Sequence, residues 1–114
     1  EHYEKYGFGR WAAIEIKSGN VIGWAGLKVE HNVNGYESFY DLGYRLLPDY
    51  WNQGYATELS EALLEFGFNN LGLDRICAYV EDEAGASKRV LEKVGLVCTN
   101  KFQGETSLEC WYEI

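Results

Sequence analysis

The sequence predicts one α/β domain, residues 1–114, with a mixed, mostly antiparallel sheet and two helices in the order β-β-β-α-β-α-β-β. The chain has 114 residues, 46% hydrophobic and 16% aromatic, enough to build a core without disulfide or metal staples. Strand-like runs rich in branched and aromatic residues occupy both ends of the chain. Two segments between them carry apolar residues at helical spacing.

The first half of the chain has the pattern of three antiparallel strands. Turn residues at 18–20 separate the first two strands and predict a hairpin. A polar loop over residues 31–35 leads into the third strand, and Pro48 ends it because proline has no amide hydrogen to donate. We expect these strands over residues 11–17, 21–30 and 37–47.

The second half alternates helices with strands. Leu59, Leu63 and Phe66 recur at helical spacing, and Gly95 follows a second apolar helix as its C-terminal cap. The short apolar run between the helices is entered from a crossover, so we expect it to lie parallel to the third strand. We expect helices from the segment 52–56 to about residue 70 and over 86–94, and strands over 75–80, 97–102 and 106–113.

Charge and cysteine usage narrow the classes of partner. Ten Lys and Arg against 18 Asp and Glu leave a net charge of −8, which disfavours nucleic acid and favours cationic partners. Cys77, Cys98 and Cys110 form no CxxC pair, so we expect free thiols and a cytoplasmic location.

The sequence also has no pattern of a membrane helix or a metal site. No apolar run approaches the roughly 20 residues of a membrane helix. His2 and His31 have no ligand-spaced partner, and we expect no metal.

The segment between the third strand and the first helix has the composition of an anion site. Gly54 and the small residue Ala56 flank the first helical turn, where unpaired backbone N–H groups and the helix dipole favour negative charge. A pyrophosphate would fit such a turn. The alternative is a tight turn in which Gly54 only supplies a left-handed residue.

Residues 41–80 followed by ASKRVLEKVGL at 86–96 resemble the GNAT superfamily of acetyl-coenzyme A-dependent N-acetyltransferases. The likeness is greatest to the ribosomal-protein-alanine acetyltransferase branch, in which a Y-W-G-K-G-Y-A-T-E type stretch precedes a leucine-rich helix and an A-S-x-R-V-L-E-K-x-G-F type stretch. Here the first of these stretches is residues 50–58. The resemblance implies a GNAT-like fold, acetyl-CoA as co-substrate and an amine acceptor.

The resemblance also assigns cofactor contacts. The pantetheine arm would lie between the third strand and the strand from Arg75, bonded to backbone near Tyr44 and Leu46, with the Leu46 amide donating to the thioester oxygen. Arg89, in preference to Lys88, would meet the phosphates. Trp51 departs from the Gln or Arg that usually opens the phosphate loop, but backbone amides can bind phosphate regardless. Those amides belong to Gln53, Gly54, Tyr55, Ala56 and Thr57.

Two positions depart from the family pattern. Ala84 replaces an Asn that contacts the cofactor arm, and Leu91 replaces a tyrosine that protonates the departing thiolate. Ser87 is our candidate substitute for that acid, with a helix N-cap as its alternative role.

A general base is needed because an amine with a pKa near 10 must lose a proton before it attacks. Asp41 is the first candidate, since the related branch often has a carboxylate at this strand position. Glu37 and Glu81 are weaker candidates. For all three the alternative is a solvated surface charge.

The family normally begins with another strand and two helices before the position of Trp11. Either the chain lacks the start of a longer protein, or a partner subunit, as in a homodimer, covers the exposed sheet face. The main hypothesis is acetyl transfer to a primary amine by direct attack in a ternary complex. The acceptor would be a protein N-terminus, or a polyamine or aminoglycoside. The alternatives are a non-catalytic acyl-CoA-binding module and an α/β interaction domain that binds no nucleotide.

Overall fold

The computed structural model describes residues 10–114 and contains a six-stranded sheet beside two helices. The elements are β1 (Arg10–Ile14), β2 (Val21–Val33), β3 (Tyr36–Leu46), α1 (Tyr55–Glu65), β4 (Cys77–Glu81), α2 (Gly85–Lys93), β5 (Val97–Gln103) and β6 (Leu108–Glu113). The strand order across the sheet is β1-β2-β3-β4-β6-β5, and β3–β4 is its parallel pair. The mixed α/β fold, the order of elements and the parallel pair are as predicted.

The first hairpin is shorter than the sequence pattern predicts. β1 ends at Ile14 rather than at residue 17, because the chain turns immediately afterwards. The Glu15 N–H donates to the Asn20 carbonyl at 2.9 Å, and the Gly19 N–H donates to the Glu15 carbonyl at 2.7 Å. Gly19 has a φ of 75°, which glycine adopts at little cost.

The second hairpin is longer than predicted. β2 continues to Val33, which pairs with the first residue of β3 across a two-residue turn. The turn residues Asn34 and Gly35 have φ values of 53° and 79°, as in a type I′ turn, whose twist matches that of the flanking strands. The expected polar loop over residues 31–35 is therefore wrong, since most of it extends the ladder.

The ends of the helices also differ slightly from the prediction. A 3₁₀ turn, Pro48–Tyr50, precedes α1, and a π-helical turn, Phe66–Asn70, continues it to the predicted end near residue 70. α2 begins at Gly85, one residue before the predicted start. None of the helices among residues 10–114 is long and apolar enough to span a membrane.

The two faces of the sheet are covered differently. α1 and α2 pack on one face, where Leu42 and Ala78 of the sheet meet Leu63 and Leu91 of the helices. Because side chains alternate along a strand, Phe39 of β3 lies on the opposite face from Leu42. That face carries an aromatic cluster built around Trp111, with Tyr36, Phe39, Tyr79 and Phe102.

Candidate functional site

The candidate site is a groove between two strands that separate. β3 and β4 pair at Asp41 and Cys77, and no further pair follows toward the carboxyl ends of these strands. The opening has a volume of about 710 Å³. Its walls are the end of β3, the loop before α1 and the first turns of both helices. We call it the β3–β4 groove; its lining residues are Tyr44, Arg45, Leu46, Tyr50, Trp51, Asn52, Gly54, Tyr55, Ala56, Thr57, Ala84, Ala86, Ser87, Arg89, Val90 and Lys93.

The β3 wall presents backbone groups to the groove. The Leu47 N–H donates to the Ile22 carbonyl of β2 at 2.8 Å. Because successive residues of a strand direct their backbone groups to opposite sides, those of Tyr44 and Leu46 point away from β2 and toward the groove. The Trp51 indole N–H donates to the Leu46 carbonyl at 2.9 Å. The Leu46 N–H, the predicted donor to the thioester oxygen, therefore points toward the groove.

The start of α1 forms the opposite end of the groove. Gly54 is the N-cap residue, in the left-handed conformation with a φ of 82°, and its carbonyl accepts from the Glu58 N–H at 3.0 Å. The three amides that precede Glu58 in the helix, those of Tyr55, Ala56 and Thr57, have no helical acceptor. A Cβ placed on Gly54 would meet no atom within 4 Å. Gly54 is left-handed, as expected, and it places no side chain over these amides.

Gln53 is the one predicted cofactor residue that does not line the groove. Its side-chain amide donates to the Asp49 carbonyl at 2.8 Å, which directs it along the loop. Asn52, which the sequence analysis did not single out, takes a left-handed φ of 61° and lines the groove instead. The G-x-A spacing does not indicate that Asn52, rather than Gln53, lines the groove.

The charges of the groove are opposite to those of the chain as a whole. Three charged residues line it, and all are cations: Arg45, Arg89 and Lys93. The whole chain carries a net charge of −8. Arg89 lines the groove, whereas the Lys88 ammonium pairs with Asp82 at 3.1 Å outside it. Lys93 could have been found from its i, i+4 spacing to Arg89.

The first turn of α2 brings a hydroxyl to the groove. Ala84 is the N-cap residue of α2 and Ser87 lies within the first turn, so the alternative role of Ser87 as the N-cap is wrong. The Ser87 side chain lines the groove beside Tyr44. Leu91 is only 2% exposed and packs in the core between the helices and the sheet. The position expected to hold a tyrosine acid is therefore a packing position in this chain.

None of the three candidate bases lines the groove. Asp41 is buried, 7% exposed, at the point where β3 still pairs with β4. Asp41 lies two residues from Phe39 along β3 and therefore on the same face of the sheet, opposite the helices. Glu37 is exposed near the second hairpin, and Glu81 is exposed at the end of β4, where its carboxylate accepts from the Ser107 hydroxyl at 3.3 Å.

The histidines and cysteines do not contribute to this site. His2 lies outside the described residues, and His31 is exposed in β2. Within residues 10–114, no group of three or more His, Cys, Asp or Glu side chains is placed to hold a metal ion. Burial raises the pKa of the Cys77 thiol to about 11, so this thiol stays protonated at neutral pH. The three cysteines are free, as expected.

The sequence profile of the acetyltransferase (GNAT) domain matches residues 1–97 of this chain. The chain belongs to the GNAT acetyltransferase family. Among curated relatives, the N-acetyltransferase YoaA of Bacillus subtilis is 33% identical over 94 residues, covering 82% of this chain and 51% of its own length. YkkB of the same organism is 31% identical over 91 residues, covering 80% of this chain and 52% of its own length. The chain thus spans about half the length of these relatives.

Solved GNAT structures superpose on nearly all of the chain. The ribosomal-protein-S5-alanine acetyltransferase of Vibrio fischeri is 16% identical with a TM-score of 0.83, covering 98% of this chain and 64% of its own. YncA of Salmonella typhimurium, solved with acetyl-CoA, is 17% identical with a TM-score of 0.79, covering 98% and 66%. A variant of the spermidine N-acetyltransferase SpeG of Vibrio cholerae is 20% identical with a TM-score of 0.78, covering 98% and 69%. At these identities they establish the fold, and the ribosomal-protein branch is one of several neighbours.

Proposed function

We propose that this chain is an acetyl-CoA-dependent N-acetyltransferase domain that transfers acetyl to a primary amine by direct attack in a ternary complex. The observation that carries the proposal is the β3–β4 groove. It has free helical amides at one end, only cations among its charged lining residues, and unpaired strand backbone at the other end. An anionic nucleotide with an extended amide-containing arm matches these three features in that order.

The described residues fit acetyl-CoA, which supplies an acetyl group activated as a thioester. The amides of Tyr55, Ala56 and Thr57 would hold the pyrophosphate, since they point out of the helix start and the helix dipole is positive there. Arg89 and Lys93 would neutralise further phosphate charge. The backbone of Tyr44 would pair with the amides of the arm as a neighbouring strand would.

The Leu46 N–H is the proposed donor to the thioester oxygen. Leu46 is held from both sides, because the Leu47 N–H donates to the Ile22 carbonyl and the Trp51 indole N–H donates to the Leu46 carbonyl. A donor fixed in advance stabilises negative charge on that oxygen without having to reorganise during the reaction. Trp51 therefore has a defined role, although it departs from the usual residue at this position.

Asp41 remains the proposed base, acting through water. It lies where the paired part of β3 and β4 meets the inner end of the groove, on the face of the sheet opposite the helices. In this proposal the amine approaches the thioester from that face of the sheet. Glu37 and Glu81 are the weaker candidates, because both are exposed and farther along their strands.

Two classes of acceptor are compatible with this site. A protein N-terminal amine is the acceptor class of the ribosomal-protein-alanine acetyltransferases that the sequence resembles. Polyamines and aminoglycosides are cationic and would be attracted to a chain with a net charge of −8. A homodimer is also part of this proposal, and sedimentation velocity would test it.

Calorimetric titration of the 114-residue chain with acetyl-CoA tests the proposal, with adenosine diphosphate as the control for the nucleotide part alone. We expect acetyl-CoA to bind in the micromolar range and the control to bind much more weakly. An acceptor panel of spermidine, an aminoglycoside and an alanine-initiated peptide then reports transfer. Absence of acetyl-CoA binding would overturn the proposal and favour an interaction domain that binds no nucleotide.

A non-catalytic acyl-CoA-binding module is the second candidate. Ala84 lacks the amide side chain expected to contact the cofactor arm, and Leu91 is buried in the core where the family usually has an acid. Tight binding of acetyl-CoA without transfer to any amine of the panel would favour it. Turnover with one amine would exclude it.

A further inference from the structure

Three tyrosines line the β3–β4 groove, and their hydroxyls have different surroundings. The Tyr55 hydroxyl donates to the Glu15 carboxylate, and the Tyr50 hydroxyl accepts from the Asn20 amide at 3.4 Å. The Tyr44 hydroxyl is buried and completes no hydrogen bond within the part of the chain that the structure describes. Buried hydroxyls are rarely left unsatisfied, so this one calls for a functional explanation.

The neighbour of the Tyr44 hydroxyl is the hydroxyl of Ser87. Ser87 is close enough to lower the pKa of Tyr44, although burial has the larger effect and the pKa of Tyr44 is raised overall. The two residues come from opposite walls of the groove, Tyr44 from β3 and Ser87 from the first turn of α2. Ser87 is half-buried and lines the groove, whereas the Tyr44 oxygen lies behind the surface.

This arrangement suits a donor to developing charge on sulfur. When an amine attacks a thioester, the C–N bond forms, the C–S bond breaks and the electron pair of that bond leaves on sulfur. A hydroxyl that faces the sulfur stabilises the thiolate by a charge-assisted hydrogen bond. The raised pKa of Tyr44 keeps its proton in place at neutral pH, so it acts as a donor and not as a source of negative charge.

We propose that Tyr44 is a positioning residue whose hydroxyl donates to Ser87 Oγ and turns the Ser87 hydroxyl toward the thioester sulfur. The proposal rests on the proposed function, because the sulfur belongs to acetyl-CoA. Ser87 donates to the departing thiolate, and neither hydroxyl gives up its proton. The proton that the amine nitrogen loses passes through water to the proposed base Asp41, which returns it to solvent, and a proton from solvent completes the thiol.

Coenzyme A itself is the probe. The pKa of its bound thiol reports a hydrogen bond donated to the sulfur, and the measurement needs no amine substrate. The ultraviolet absorbance of the thiolate, followed against pH, gives the pKa of bound coenzyme A in wild type, Tyr44→Phe and Ser87→Ala. An ordinary thiol has a pKa of about 8.5, and a donated hydrogen bond lowers it. We expect each substitution to raise the pKa of the bound thiol by about 1 to 2, the equivalent of one hydrogen bond to a charged group.

Two features of the design separate positioning from packing. Tyr44→Phe keeps the ring that packs against the core and removes only the oxygen. The cations Arg45, Arg89 and Lys93 also favour the thiolate, but they are present in every variant compared. Because Tyr44 acts through Ser87, Tyr44→Phe should add nothing in a Ser87→Ala background, while Ser87→Thr should restore most of the effect. Tyr36→Phe, on the opposite face of the sheet, should leave the thiol pKa as in wild type.

The outcomes distinguish this proposal from the function on which it rests. A wild-type chain that fails to bind coenzyme A overturns both. A chain that binds coenzyme A with the same thiol pKa in wild type and Tyr44→Phe overturns the positioning role alone. Additive effects of Tyr44→Phe and Ser87→Ala would overturn it as well, because each residue would then act independently. In turnover with an acceptor from the panel, we expect kcat to fall about tenfold or more in Tyr44→Phe with acetyl-CoA affinity retained.

Discussion

The two helices both begin at the β3–β4 groove and offer it different chemistry. α1 follows a left-handed Gly54 and presents backbone amides. α2 follows Ala84 and presents the side chains of Ser87, Arg89 and Lys93. Neither start has a side-chain cap. Binding at the α1 start depends on the conformation of Gly54 and on close contact with the backbone amides. Binding at the α2 start depends on charge. The two starts should therefore respond differently to mutation and salt.

The largest effect is expected from Gly54→Val, which places a branched side chain among the α1 amides. We expect acetyl-CoA affinity to fall tenfold or more, or at least about 1.4 kcal/mol, by calorimetry. Gly72→Val is the matched control, because Gly72 also has a positive φ, of 68°, and open space around its Cβ position. Both variants should lose about 1 to 2 kcal/mol of stability from the left-handed conformation. Equal affinity losses in both would remove the α1 start from the site.

A smaller effect is expected at the α2 start from Arg89→Gln combined with Lys93→Gln. Both side chains are exposed, so we expect acetyl-CoA affinity to fall about three- to tenfold at low salt, from about 0.3 to 0.7 kcal/mol for each charge. Screening should shrink this difference at high salt, while the Gly54→Val loss should persist. Arg75→Gln, a cation that does not line the groove, is the control. A salt-independent loss in the double variant would contradict the charge-based role of α2.

Because α2 begins without a capping side chain, introducing one should stabilise the protein. Ala84→Asn places an N-cap side chain before the helix and should raise the free energy of unfolding by about 1 kcal/mol, measured in urea. Ala84→Leu occupies the same position without a cap acceptor and should give no such gain. If the two variants are equally stable, the start of α2 does not limit stability.

The last effect is confined to alkaline pH and concerns the anchoring of α2. The Tyr112 hydroxyl donates to Glu92 of α2 at 3.1 Å, and burial, followed by that carboxylate, raises the pKa of Tyr112 to about 12. The unfolded value is about 10, so the stability from this group is complete below pH 10 and is lost as the pH rises to about 12. The free energy of unfolding, measured in urea, should fall less steeply across this pH range in Tyr112→Phe than in wild type. An unchanged slope would show that Tyr112 does not titrate with unfolding.

Sequence pattern was most reliable where local signals agree. The helices were visible from the spacing of Leu59, Leu63 and Phe66 and from Gly95, and the parallel strand from its place after a crossover. The hairpin at Asn34 was missed because polar residues in its ladder outweighed the Asn-Gly turn signal. The capping role of Ser87 was misjudged because the true start of α2, after Ala84, carries no capping side chain.

The sequence by itself determined the order of elements, the glycine turn before α1 and the net acidity of the chain. These follow from residue types and spacing, which act over a few neighbours along the chain. Only the tertiary structure decided that the charged residues of the groove are all cations, and that Tyr44 and Ser87 bring two hydroxyls together. Both depend on the point at which β3 and β4 stop pairing, since that separation joins walls that are more than 40 residues apart in sequence. The spacing of residues along the chain does not predict such contacts.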